Sequence, residues 1–114
     1  MRALFAAAIV AACSVTAAYA ADIMASRYGN TTIVSDSKGV ETKIYYKADG
    51  TLTGKQGDLN FTGTWKVAGG KVCIKTTPGV AGMEPPFCPA VVAHKVGDTW
   101  KSDGRTVKLI AGVQ

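Results

Sequence analysis

The stretch Leu59-Asn60-Phe61-Thr62-Gly63-Thr64-Trp65-Lys66-Val67, followed by Ala68-Gly69-Gly70 and Lys71-Val72-Cys73, decides the fold. Leu59, Phe61, Gly63, Trp65 and Val67 fall on one side of a period-two pattern, and Asn60, Thr62, Thr64 and Lys66 fall on the other. That is a strand with one dry face and one wet face, as in an antiparallel sheet that covers a core on one side only. The Gly-Gly pair ends it with a turn, and Lys71 begins a return strand that carries a cysteine. A glycine on the inward face, here Gly63, marks a bend or a close backbone approach. Trp65, two residues on, is expected as a core plug.

Moving outward, the same pattern recurs. Val40, Thr42, Ile44 and Tyr46 alternate with Glu41, Lys43, Tyr45 and Lys47. Turn clusters stand at 36–39, 48–50, 55–58, 68–70 and 102–104, each with a glycine. Further strands are expected at 30–35, 51–54, 71–77, 90–95 and 105–110, with 98–101 as a short addition. Regular punctuation between runs of Thr, Val, Ile, Tyr and Trp specifies an all-β antiparallel meander. No segment after residue 20 carries a helical period. Seven to eight short strands in so small a chain would leave exposed edges in an open sheet, so closure into a barrel, or folding into a two-sheet sandwich, is expected.

Residues 1–20 read as a signal peptide: Arg2 supplies the positive charge, Ala3 to Ala12 the apolar run, and Ala18-Tyr19-Ala20 the small residues at a cleavage site. The apolar run is shorter than the roughly 20 residues a permanent span needs. Val10-Ala11-Ala12-Cys13 also resembles a lipobox, which would make Cys13 a lipidated N-terminus. A periplasmic or secreted protein is expected on the first reading and an anchored lipoprotein on the second. Residues 21–114 then form a single β-barrel-like domain, with 12 basic and 8 acidic residues. The basic residues are scattered, which argues against a nucleic-acid partner. Cys73 and Cys88, the two cysteines left in an exported chain, are expected to pair.

No catalytic pattern stands out. His94 is the only histidine, and its sequence neighbours offer no partner, so it is expected as a solvent-facing strand residue. Most aspartates sit in turns beside glycine, where they bond to local backbone. No spacing marks a metal or cofactor site, and an enzyme is not expected. Two features remain as candidate surfaces. One is the Pro-rich loop 78–89, with Met83, Glu84 and Phe87, which would either bind a partner or cap the barrel. The other is a basic face of Lys43, Tyr45, Lys47, Lys66, Lys71 and Lys75, suited to anionic envelope material.

Gly63-Thr64-Trp65, Gly69-Gly70-Lys71-Val72-Cys73 and Cys88, preceded by Tyr45-Tyr46-Lys47-Ala48-Asp49-Gly50-Thr51, resemble a loose class of small exported proteobacterial β-proteins over about residues 28–110. The resemblance implies compartment and fold and supplies no activity. More distantly, Gly63-Thr64-Trp65 is similar to the Gly-x-Trp strand of periplasmic metalloprotease inhibitors, although the trunk those inhibitors insert has no visible match in 21–27. Asp49-Gly50-Thr51-Leu52-Thr53-Gly54 is similar to lipocalin- and avidin-like barrels. The export signal, the expected fold, the absence of a catalytic pattern and the two candidate surfaces lead to the expectation of a non-catalytic binding or interaction module of the bacterial cell envelope with an unidentified ligand or protein partner. The alternatives are an inhibitor of a secreted or envelope hydrolase, of the metalloprotease- or lysozyme-inhibitor kind, and a small hydrolase.

Overall fold

The computed structural model describes residues 22–114; the signal-peptide stretch and Cys13 lie outside the described residues. Seven strands follow one another: β1 Thr31–Ser35, β2 Glu41–Tyr46, β3 Thr51–Gln56, β4 Leu59–Ala68, β5 Lys71–Thr76, β6 Thr99–Ser102 and β7 Arg105–Ile110. All pair antiparallel in a single sheet of order β5-β4-β3-β2-β1-β7-β6. The sheet curls into a half-barrel. The sandwich alternative is not adopted, because there is one sheet.

The predicted alternation sets which side chains go inward. Thr42, Ile44 and Tyr46 of β2 are buried, as are Leu52 of β3, Phe61 of β4, Val72 and Ile74 of β5, and Val107 and Leu109 of β7. Val40, Leu59 and Val67 lie on the same face but toward the ends of their runs, where the curl leaves them exposed. Gly63 pairs with Leu52 on one side and Thr76 on the other, and a Cβ there would overlap the Lys75 carbonyl oxygen. Only glycine allows that approach. The two-residue turn Gly69-Gly70, both at positive φ (60° and 77°), closes the β4–β5 hairpin and carries the twist that antiparallel hairpins need. Asp36 and Asp49 cap their turns as expected: Asp36 Oδ1 accepts from the Lys38 and Val40 N–H, and Asp49 Oδ1 from the Thr51 N–H.

Trp65 is half-buried against the core. Its ring centroid lies 6.0 Å from those of Tyr28 and Tyr46, edge-on to the latter, and its Nε1–H donates to the Lys47 and Thr51 carbonyls at 3.0 and 3.1 Å. It is therefore the expected plug, with its polar edge satisfied by the β2–β3 turn.

Edge strands β5 and β6 do not pair with each other. The Cys73–Cys88 disulfide instead holds a strap against the β5 edge. Along it the Ile74 N–H donates to the Phe87 carbonyl, the Val72 N–H to that of Pro89, and the Val91 N–H to that of Gly70, at 2.9, 2.9 and 3.0 Å. Covering an edge in this way removes a template for unwanted pairing.

Residues 90–95 are not the strand that the sequence suggests. After the isolated bridge between Ala90 and Lys71 the chain peels away, and side chains take its carbonyls: Arg27 donates to Val92 (3.2 Å), and the Ser26 hydroxyl to His94. The N-terminal segment thus replaces a strand neighbour. A 3₁₀ turn, Ala25–Arg27, follows Met24 into the half-barrel, and Met24 and Arg27 are both buried.

Candidate functional site

The sequence places Lys43, Tyr45, Lys47, Lys66, Lys71 and Lys75 on one outer basic face. The register divides it in two. On β5, Lys71 and Lys75 stand two residues either side of Cys73 on the same face, and Lys66 of β4 is directly opposite Cys73. Three lysines therefore surround the disulfide. None of them has a carboxylate within salt-bridge distance among the described residues, where the one close acid–base pair is His94–Asp98. The ends of the Pro-rich loop reach this place: Lys66, Lys75, Pro85, Pro86, Phe87 and Cys88 line a shared open groove. The two features the sequence offered separately meet here.

Lys43 and Tyr45 are elsewhere, on the outer face of β2. Lys43 is directly opposite Lys55 on one side and Ile33 on the other, and Ile33 is opposite Lys108. Lys55 and Lys108 thus belong with Lys43, which sequence reading missed because strand register, not spacing, aligns them. Tyr45 donates its hydroxyl to the Gln114 carbonyl at 3.3 Å. Lys47 is exposed just beyond the end of β2.

Within the loop, Met83 is only 4% exposed and joins Val80 in the core, and Phe87 packs half-buried against the same cluster. This is the capping arrangement, so Met83 offers no contact surface. Glu84 is exposed, and its Oε2 accepts from the Gly82 N–H. The loop is also clamped by Gln56, whose side-chain amide donates to the Ala81 carbonyl (2.8 Å) and accepts from the Ala81 N–H (3.0 Å).

His94 differs from expectation. It is not on a strand, its ring stacks on Trp100 with centroids 3.5 Å apart, and its Nδ1 lies 3.3 Å from Asp98 Oδ2. Asp98 is held below the usual carboxylate range, first by the Lys95 backbone N–H and then by His94. Ser26 is nearby, but its hydroxyl bonds to the His94 carbonyl rather than to the imidazole, so the three do not form a nucleophilic relay. Among the described residues, no three His, Cys, Asp or Glu side chains gather as a metal site would require.

Comparison with protein-family models, with curated proteins and with solved structures finds no match to this chain.

Proposed function

We propose that this chain is a non-catalytic binding module of the bacterial cell envelope, periplasmic or secreted, that recognises anionic envelope material at the disulfide-centred face. The supporting observation is that Lys66, Lys71 and Lys75 stand around Cys73 without acidic neighbours at salt-bridge distance among the described residues. The groove along the Pro85–Cys88 strap lies beside them. A rigid, covalently pinned platform loses little conformational entropy when it binds. Three uncompensated ammonium groups on it attract phosphate or carboxylate groups of a headgroup or polysaccharide.

The experiment is co-sedimentation with phosphatidylglycerol vesicles, with phosphatidylcholine vesicles as control and a soluble acidic polysaccharide as a parallel arm. At about 1 kcal/mol per lysine near an anionic surface, the triple variant Lys66→Ser, Lys71→Ser, Lys75→Ser loses roughly a hundredfold in affinity. Binding that survives in the triple variant, or no binding to either anionic probe, overturns the proposal.

A further inference from the structure

Residues 21–114 contain only two arginines, Arg27 and Arg105, and both sit at the seam where the half-barrel fails to close. Arg105 places its guanidinium 5.2 Å from the Phe87 ring centroid on the strap side, and Arg27 lies 5.6 Å from the Trp100 centroid on the β6 side. Between them, Arg27, Thr32, Tyr46, Phe87, Trp100 and Arg105 line a cavity of about 60 Å³. It reaches the surface beside Ala90 and Asp103, both exposed.

Two polar groups in this cavity are under-satisfied. Arg27 is 5% exposed and has no carboxylate within salt-bridge distance among the described residues. Two of its five N–H donors are used, on the Ile23 and Val92 carbonyls. Thr32 is 4% exposed, and its Oγ1 is the one buried side-chain polar atom among the described residues without a hydrogen-bond partner. Tyr46 is 5% exposed and offers a phenolic hydroxyl on the same wall. A buried unpaired charge and an orphaned hydroxyl both cost stability, and one anion would relieve both.

We infer that the seam cavity is a binding site for a small monocarboxylate, whose carboxylate lies between Arg27 and Thr32 and whose apolar body lies between Phe87 and Trp100. One water needs about 10–15 Å³ of such space, so the cavity has room for about four heavy atoms. That admits a carboxylate with a carbon or two, and a longer body must leave through the seam. Val34, Ile44, Ile74 and Val107 make most of the remaining wall apolar, Ser102 and the Asp103 carboxylate at the mouth excepted. Stripping a phosphate dianion of water against such a wall costs far more than burying a singly charged carboxylate. Asp103 at the mouth opposes any anion through its charge. The site is separate from the outer lysine face and does not depend on it.

Isothermal titration of the full domain with butyrate, and with inorganic phosphate as comparison, tests this. Butyrate saturates with a Kd of about 1 mM or tighter, phosphate binds more weakly, and the Trp100 indole N–H resonance shifts. Thr32→Val keeps the side-chain shape, so it raises the stability of the ligand-free protein while weakening butyrate about tenfold. A folding defect would not produce those opposite signs. Asp103→Asn tightens butyrate severalfold, and Arg105→Gln weakens it. Failure to saturate at tenfold higher butyrate, phosphate binding as well as butyrate, or undiminished affinity in Thr32→Val overturns the inference.

Discussion

Met83→Ala separates a loop that caps from a loop that binds. Met83 is 4% exposed and belongs to the same buried cluster as Ile44, Leu52, Phe61 and Ile74. Truncating a fully buried methionine to alanine costs about 2–5 kcal/mol, made up of lost transfer energy and an unfilled cavity. Gln56 and the disulfide hold the loop from either side, which limits its collapse into the void, so we expect about 3 kcal/mol. For a domain with about 5–15 kcal/mol in total, that is a large share. At about 4–8 °C per kcal/mol, Tm falls by more than 10 °C. Urea unfolding followed by tryptophan fluorescence reads the change as a lower midpoint with unchanged slope. Glu84→Ala, made in the same loop at an exposed side chain, shifts the midpoint by less than about 0.5 kcal/mol. If Met83→Ala unfolds at the same urea concentration as wild type, Met83 does not cap the half-barrel and the assignment of the loop is wrong.

Replacing both Cys73 and Cys88 by serine costs about 3 kcal/mol, from the 15-residue separation in the chain-entropy account. The same variant loses hydrogen-exchange protection at the Val72 and Ile74 amides as the strap frays. Gln56→Ala removes both bonds to the Ala81 backbone and costs about 1–3 kcal/mol, with faster exchange at the Ala81 amide; unchanged exchange there would contradict the clamp. Burial pushes the Tyr46 phenol up to about 12, with nearby Arg27 opposing the shift. An unfolded tyrosine titrates near 10, so the folded chain keeps its proton to higher pH. This contribution to stability is complete below about pH 10 and is lost as pH rises through about 12, amounting to about 3 kcal/mol. Tyr46→Phe flattens that part of the pH profile, and a profile identical to wild type would refute the assignment.

Strand positions were legible because they depend on near neighbours. The alternation in Val40–Lys47 and Leu59–Val67, the Gly69-Gly70 turn and the aspartate turns each specify their conformation within a few residues, and all reappear in the structure. Val91 and Val92 give 90–95 strand composition, but whether such a run finds a ladder depends on an edge far away in sequence, and here the chain leaves that edge after Ala90. Lys43, Lys55 and Lys108 are 12 and 53 residues apart, and only register brings them into one row. The Trp100 stack on His94 forms only once β6 has joined β7, although the other His94 partner, Asp98, stands only four residues away in sequence.

By itself, then, the sequence determined an antiparallel meander, its inward face, the close approach at Gly63 and the pairing of Cys73 with Cys88, since each follows from local periodicity, backbone sterics or simple counting. The tertiary structure alone decided how the sheet ends. It buried Met83 as a cap, drew Met24 and Arg27 inside, and brought both arginines of residues 21–114 to an unclosed seam beside an orphaned Thr32 hydroxyl. Those placements depend on contacts made when the two edges of a curled sheet approach each other, and no short window of residues carries that geometry.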